Sequence, residues 1–387
     1  MDQKHAAVIG AGHAGVEAAR ALAQNGIAVT LFGQEPDLPY FRPRIVAVAF
    51  GQAQPGGCAM HPLEWYAQNG IEIKTGCRVE GLDAARLAIR YGGDERVFDA
   101  VVLAPGAGAV MPGFGTGLES AVFPLWAMED ARRIHARMGA GDRHWVIVGG
   151  GVIGIEAALR AAEAGCRVSV VEKMPRLMLA LAPEASQIIL RELERRQIRV
   201  STGVGVARMA MDNGHVHAVL ENGEALDAEG VLVSIGMRRD LALAQAAGLQ
   251  CAQGIQVDAR MRTSASGIWA CGDITQGLGN GRCSARVAAA QGKTAGANAA
   301  AFLSGRPEVE CPIHADPFML RHGGFELCYD GRAAGEGDRV ERLDDVPGDV
   351  YRALIYQGET LVGVQMAGSA KNFQKYAALI RSSARPG

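Results

Sequence analysis

Val8-Ile9-Gly10-Ala11-Gly12-His13-Ala14-Gly15 ends an apolar run and opens an alanine-rich stretch, and Val146-Ile147-Val148-Gly149-Gly150-Gly151-Val152-Ile153-Gly154 does the same later in the chain. In each, three glycines recur at the spacing of a turn from a buried strand into a helix. The first (Gly10, Gly149) permits the tight turn, the second (Gly12, Gly151) lets backbone approach a pyrophosphate, and the third (Gly15, Gly154) lets helix and strand pack closely. The helix then points its unsatisfied N–H groups at the phosphates. One such pattern is a weak signal; two, each set between strand and helix, are strong. Each also has a carboxylate about 20 residues on, Glu35 and Glu172, placed to accept hydrogen bonds from adenosine ribose hydroxyls. Two units of this kind can hold two dinucleotides, and two dinucleotides placed face to face can exchange a hydride.

The flanking segments repeat in the same order. In the first unit Ala6–Ile9 reads as a strand, Val16–Asn25 as a helix closed by Gly26, and Ile27–Phe32 as a second strand. Short β-like runs follow around Val79, Leu87–Ile89 and Val97, and Val101–Ala104 closes the unit as a buried strand before Pro105-Gly106. In the second, Trp145–Val148, Ile155–Ala164 before Gly165, and Arg167–Val171 take the corresponding places. A meander over Val204–Met211, His215–Leu220 and Ala225–Leu226 follows, and Val231–Gly236 closes it. Duplication of a whole domain explains this order better than chance. After Gly236 the chain is expected to return to the first domain through a strand at Ile268–Asp273 and a helix at Arg286–Leu303. Gly305-Arg306-Pro307 marks a boundary. Beyond it, short strands at Phe325–Tyr329, Val350–Tyr356 and Leu361–Met366 and a basic helix at Ala370–Ser382 read as a small α+β module.

A chain of 387 residues suffices for two or three cores. A net charge of −2 and aromatic content of 5% argue against nucleic-acid binding, because neither a basic face nor stacking platforms are supplied. No apolar run is long enough to span a bilayer, and the N-terminal apolar stretch runs straight into Gly10, so it reads as a strand and not a signal peptide. The eight cysteines form no CxxC or CxxxxC pair and no zinc pattern. No metal site is expected, and scattered reduced thiols point to the cytoplasm.

Three further segments resemble one family. Leu38-Pro39-Tyr40-Phe41-Arg42-Pro43-Arg44 is similar to the Pro-Tyr-x-Arg-Pro segment of rubredoxin and ferredoxin reductases. Val101–Ala107 resembles that family's Leu-Ala-Thr-Gly segment, and Ile268-Trp269-Ala270-Cys271-Gly272-Asp273 its second FAD motif. With the two glycine loops, the chain resembles the tandem flavoproteins of the pyridine nucleotide–disulfide oxidoreductase superfamily, well over about residues 5–305 and loosely beyond.

The resemblance implies an α/β fold: tandem Rossmann-like FAD and NAD(P) domains of three-layer ββα type, plus a small C-terminal α+β domain. Its boundaries would be 1–107 and 241–306 for FAD, 108–240 for an inserted NAD(P)H domain, and 307–387 for the last. FAD would lie on Gly10, Gly12, His13, Ala14 and Gly15, with Glu35 at its ribose, Arg42 and Pro43 along it, Val79 at adenine, and Ala104, Pro105 and Gly106 nearby. Gly272 and Asp273 would hold the ribityl chain. NADH would lie on Gly149, Gly151, Val152, Ile153 and Gly154, with Glu172 at its ribose, Gly236 close by, and Ile153 and Glu156 near where nicotinamide meets flavin. A carboxylate at 172 favours NADH over NADPH by repelling a 2′-phosphate. Lys173 and Arg176 would soften that preference, or else form a solvated loop.

Departures and absences discriminate. Pro105 stands where the family has Thr, removing a hydroxyl and an N–H. Arg239 stands where Pro is usual, so that loop should differ in shape. The dithiol of many members is missing, as is the single redox thiol others carry near Arg42–Arg44; Cys58 lies further on and reads as structural. Electrons on the flavin must therefore leave directly. The expected activity is NADH-dependent reduction of FAD and then of a carrier protein such as rubredoxin or ferredoxin. The alternatives are an oxidase or reductase of O2 or quinone, a flavin subunit of a larger redox complex such as nitrite reductase, or a non-catalytic redox sensor. His13 is a weak catalytic candidate, with a packing or dipole role favoured. Lys371, Lys375 and Arg381 make either a docking face for an acidic carrier or, more simply, a solvated helix face.

Overall fold

The computed structural model describes residues 3–114, 117–139, 143–276, 283–312, 316–343 and 349–383. Two compact units divide the chain. One comprises Met1–Pro43, Pro55–Gly108 and Met237–His314, the other Arg44–Gln54, Ala109–Gly236 and Ala315–Gly387.

The first unit is built on a parallel five-stranded sheet in the order Ile268–Ala270, Ala100–Leu103, His5–Ile9, Ala28–Phe32, Ile71–Lys74. The central strands are buried on both faces, as continuous apolar runs predict for a parallel sheet. A helix at His13–Gln24 follows the first strand and buries Val16, Ala18, Ala19 and Leu22. Against it lies the helix Ala285–Leu303. The two backbones come so close that a Cβ on Gly292 would stand 2.0 Å from the Ala14 carbonyl oxygen, and one on Gly296 2.3 Å from that of Ala18. Small residues on both helices are what permit this contact. A three-stranded antiparallel sheet, Val79–Asp83, Ala88–Tyr91 and Asp94–Val97, covers the other face, with Phe32, Ile89, Phe98 and Leu103 packed between the layers.

The second unit repeats the plan. Its parallel sheet runs Arg199–Thr202, Arg167–Glu172, His144–Val148, Gly230–Val233, Val122–Pro124. The helix Val152–Glu163 follows the central strand, and an antiparallel meander, Val206–Asp212, His215–Leu220 and Ala225–Ala228, faces the sheet across Val146, Val171, Val216 and Val231. Helices at Met128–Met138 and Pro183–Arg195 complete it. The same unit contains a five-stranded antiparallel sheet in the order Phe318–His322, Phe325–Gly331, Thr360–Ala367, Tyr351–Gln357, Arg339–Arg342. The terminal helix Phe373–Ser383 closes this sheet by burying Phe373, Ala377 and Ile380. Lys371 and Lys375 remain exposed.

Candidate dinucleotide sites

In the first unit the turn after His5–Ile9 holds Gly10 at φ +106°, a conformation side-chain-bearing residues rarely adopt. A Cβ there would also lie 2.1 Å from the Ala104 carbonyl oxygen, and one on Gly15 would lie 1.7 Å from that of Gly10. Both glycines are therefore required by the protein itself. Gly12 is different. It caps the helix in an extended conformation that suits any residue, and a Cβ on it would meet nothing within 4 Å. The space above Gly12 is thus open, directly over a helix end whose first N–H groups have no intrahelical acceptor. A diphosphate fits that cradle by size and by charge.

Of the other expected residues of this unit, Ala104 and Pro105 lie against Gly10, and Gly272 lies against Ala14. Glu35 follows the second strand; its carboxylate accepts from the Tyr40 hydroxyl at 2.5 Å and from Arg42 at 2.8 Å. An ionised carboxylate has about four acceptor positions, so two remain for ribose hydroxyls. The segment carrying Arg42 and Pro43 is anchored by Phe41 N–H to the Cys58 carbonyl and by Met60 N–H to the Pro39 carbonyl, both 2.8 Å. Cys58 is itself 1% exposed. Ala104 is buried and donates to the Ile9 carbonyl; Pro105 is exposed and Gly106 half-buried. Val79 is buried in the first strand of the covering sheet. Gly272 donates to Gln291 at 2.8 Å. The half-buried Asp273 lies near two guanidiniums: burial pushes its carboxyl up, while the Cys283 thiol, Arg42 and Arg239 pull the other way.

His13 is the first residue of the helix, with its ring edge-on to Phe41 at 5.8 Å. Burial, then the Arg42 charge, hold its imidazole down to about 4. It is neutral at physiological pH, which suits a packing role beside phosphates better than proton transfer.

The second unit reproduces the geometry. Gly149 has φ +115°, with a Cβ blocked 2.2 Å from the Ser234 carbonyl oxygen; Gly154 is blocked 1.9 Å from that of Gly149; Gly151 again faces open space. Val152 and Glu156 are half-buried, and Ile153 is exposed on the first turn of the helix. Glu156 pairs with Arg160 at 2.9 Å. Gly236 accepts from Val110 N–H at 3.1 Å. Glu172 accepts from the N–H of Gly150 at 2.5 Å and of Met174 at 2.7 Å. It thus braces the glycine loop, a role that spacing alone does not reveal.

Sequence reasoning missed one contributor. Arg239 donates to the Asp273 carbonyl at 2.5 Å, to the Gln253 carbonyl at 3.1 Å and to the Cys283 sulfur at 3.6 Å. It ties together three segments that converge on the Gly272–Asp273 turn. The one signal for it was the departure from proline.

Two glycine turns, each with open space over a bare helix N-terminus and a carboxylate at or just past the next strand, form the frame of a protein that binds two dinucleotides. The profile of the pyridine nucleotide-disulphide oxidoreductases matches residues 4–292, and the chain belongs to that family. It is 33% identical over 272 residues to the rubredoxin-NAD(+) reductase of Pseudomonas putida, covering 69% of this chain and 70% of the relative. Over 374 residues it is 31% identical to the ferredoxin–NAD(+) reductase component of the p-cumate 2,3-dioxygenase system of Pseudomonas putida, covering 94% and 90%. Among solved structures, the covalent putidaredoxin reductase–putidaredoxin complex contains a chain that superposes with a TM-score of 0.89 at 25% identity, covering 99% of this chain and 94% of that one. The water-forming NADH oxidase of Lactobacillus brevis shares the fold, with a TM-score of 0.88, 17% identity, and coverage of 98% and 91%.

Proposed function

We propose that this chain is an NADH-dependent FAD reductase that delivers electrons to a small carrier protein of rubredoxin or ferredoxin type, in the cytoplasm. The observation that carries the reading is the pair of open seats over Gly12 and Gly151, each at a bare helix N-terminus with its own carboxylate. In this reading FAD lies on Gly10–Gly15, Glu35, Arg42 and Asp273, and NADH on Gly149–Gly154 and Glu172. The FAD domain comprises 1–107 and 241–306, the NADH domain 108–240, and the last domain 307–387. The match along almost the whole chain to a ferredoxin–NAD(+) reductase component supports a carrier as acceptor.

A flavin held by Gly10–Gly15, Glu35, Arg42 and Asp273 would supply the hydride-accepting and electron-donating chemistry. The protein's residues contribute position. Each helix N-terminus neutralises diphosphate charge, Glu35 and Glu172 orient the two adenosines, and Asp273 holds the ribityl hydroxyls. Proximity and alignment are the main contribution to such a step. No disulfide joins the described cysteines, and burial raises the thiols of Cys271, Cys283 and Cys328. With no CxxC or CxxxxC pair in the sequence, electrons in this reading leave the flavin without a thiol relay.

Anaerobic stopped-flow tests this. NADH should bleach the bound flavin within the turnover time, and oxidised ferredoxin or rubredoxin should restore its colour faster than air-saturated buffer does. Recovery fastest with O2 would replace the carrier reading with an oxidase, and slow bleaching with tight NAD+ binding would replace it with a sensor.

A further inference from the structure

Glu172 ends its strand, Lys173 follows, and the strand pairs with Arg199–Thr202 so that Glu172 faces Thr202. Beyond this end of the sheet runs a groove lined by Val200–Val204 on one side and by Glu221 and Asn222 on the other. It lies at the carboxyl ends of the parallel strands, the end that also carries Gly149–Gly154, where a doubly wound sheet receives its nucleotide.

Glu221 comes from the covering meander, just after the strand His215–Leu220. Its backbone N–H donates to the Gly205 carbonyl at 2.9 Å, and its carboxylate accepts from the Gly205 N–H at 3.1 Å. A Cβ on Gly205 would stand within 2.9 Å of that carboxylate, so position 205 is fitted to Glu221. The free oxygen of the carboxylate takes the Lys173 ammonium at 2.9 Å. Exposed ion pairs are usually weak because both side chains lose freedom; here Glu221 is already fixed by backbone, so only the lysine is ordered. Lys173 and then the Gly205 N–H hold the Glu221 carboxyl below its usual range. The Arg176 guanidinium is positioned on the carbonyls of Leu179 and Leu181 at 2.8 and 3.1 Å and keeps its charge.

We propose that Glu221 sets the choice between NADH and NADPH by holding Lys173 away from the ribose. An NADPH 2′-phosphate is a dianion that needs a cation, and Lys173 follows the ribose-facing carboxylate directly. With Lys173 latched, its charge is offset by the Glu221 carboxylate. Glu172 repels the phosphate, and Glu221 removes the residue that would offset that repulsion. The inference rests on the reading that the second glycine loop takes a nicotinamide dinucleotide.

Calorimetric titration of the holoprotein with ADP-ribose and with 2′-phospho-ADP-ribose separates the two ideas. Glu221→Gln should shift the ratio of the two dissociation constants toward the phosphorylated ligand by about fivefold, the scale of one freed charge near water. Lys173→Met added to Glu221→Gln should abolish that shift. An unchanged ratio in Glu221→Gln, or a shift that survives Lys173→Met, overturns the latch while leaving NADH binding intact. Failure of the wild type to bind ADP-ribose overturns the dinucleotide reading, and the latch with it. The ratio of kcat/KM for NADPH and NADH should move in parallel.

Discussion

Gly12→Ala separates what the protein needs from what a ligand needs. Gly12 sits at φ −84° and ψ −169°, open to any residue, and an added methyl finds no protein atom within 4 Å. The apoprotein should therefore lose only the small difference between Gly and Ala as helix cap, at most about 1 kcal/mol, or roughly 2–4 °C of melting temperature. If a diphosphate lies against Gly12, the same methyl overpacks it. An intrusion of one methyl costs about 1–3 kcal/mol, which is about a 5- to 150-fold loss of FAD affinity. Gly15→Ala provides the contrast: its methyl would fall 1.7 Å from a backbone oxygen, costing about 3 kcal/mol or more in the fold itself. Scanning calorimetry of deflavinated protein and FAD titration by fluorescence quenching read the two effects apart. Melting must be compared without FAD, because bound ligand stabilises by mass action. The reasoning is refuted if Gly12→Ala binds FAD as tightly as wild type, or if its apoprotein melts as low as that of Gly15→Ala.

Three other outcomes follow from the same geometry. Arg239→Met removes three hydrogen bonds around the Gly272–Asp273 turn and should speed FAD release about tenfold, on the scale of one lost charged hydrogen bond; release at the wild-type rate would show that the turn holds its shape unaided. His13 titrates near 4 when folded and near 6.5 when unfolded, so between those values the unfolded chain binds a proton that the native state refuses. Apoprotein stability should rise with pH through that window by at most about 3 kcal/mol, and His13→Asn should remove this contribution; an unchanged slope in denaturant melts at pH 5 and 7.5 would count against it. Burial first, then Asp273, push the Cys283 thiol up to about 11, so iodoacetamide at pH 7.5 should modify it about two orders of magnitude more slowly than a free thiol. Carrier reduction should persist after the accessible thiols are blocked; loss of turnover in step with labelling of one cysteine would restore a thiol relay.

The legible part of the chain was the part in which chemistry and backbone make the same demand. Gly10, Gly15, Gly149 and Gly154 are needed sterically by the turns, and their spacing therefore announces both fold and ligand. The repeated order of strand, helix, strand and meander was readable because each element is long or flanked by glycine. Weaker elements were not singled out. The helix Met128–Met138 starts without a capping side chain at Ala127; instead Asp130, inside the helix, accepts from the N–H groups of Trp126 and Ala127. The helix Pro183–Arg195 carried a usable sign, Pro at its first position followed by Glu184. The edge strands Ile71–Lys74 and Arg199–Thr202 are four residues long and only partly buried, too short for a period to stand out. In the sites, the bracing of a glycine loop by Glu172, the clasp of Arg239 and the fit of Gly205 to Glu221 each depend on residues distant in sequence.

The contact of Gly292 and Gly296 with Ala14 and Ala18 also constrains when the first unit can be finished. Its opening helix and the strand Ala100–Leu103 leave the ribosome early, yet the neighbours that cover them, Ile268–Ala270 and Ala285–Leu303, are encoded beyond the whole second glycine-loop segment. At about 5–20 residues per second, roughly 10–40 s separate the two halves of one core. During that interval the alanine face of the first helix has nothing to bury against, while the intervening parallel sheet is already complete in sequence. The core around the first helix is therefore complete only once the late helix has been made. A nascent chain that stops before Ile268 would lack the strand Ile268–Ala270 and the helix Ala285–Leu303 that complete the N-terminal core.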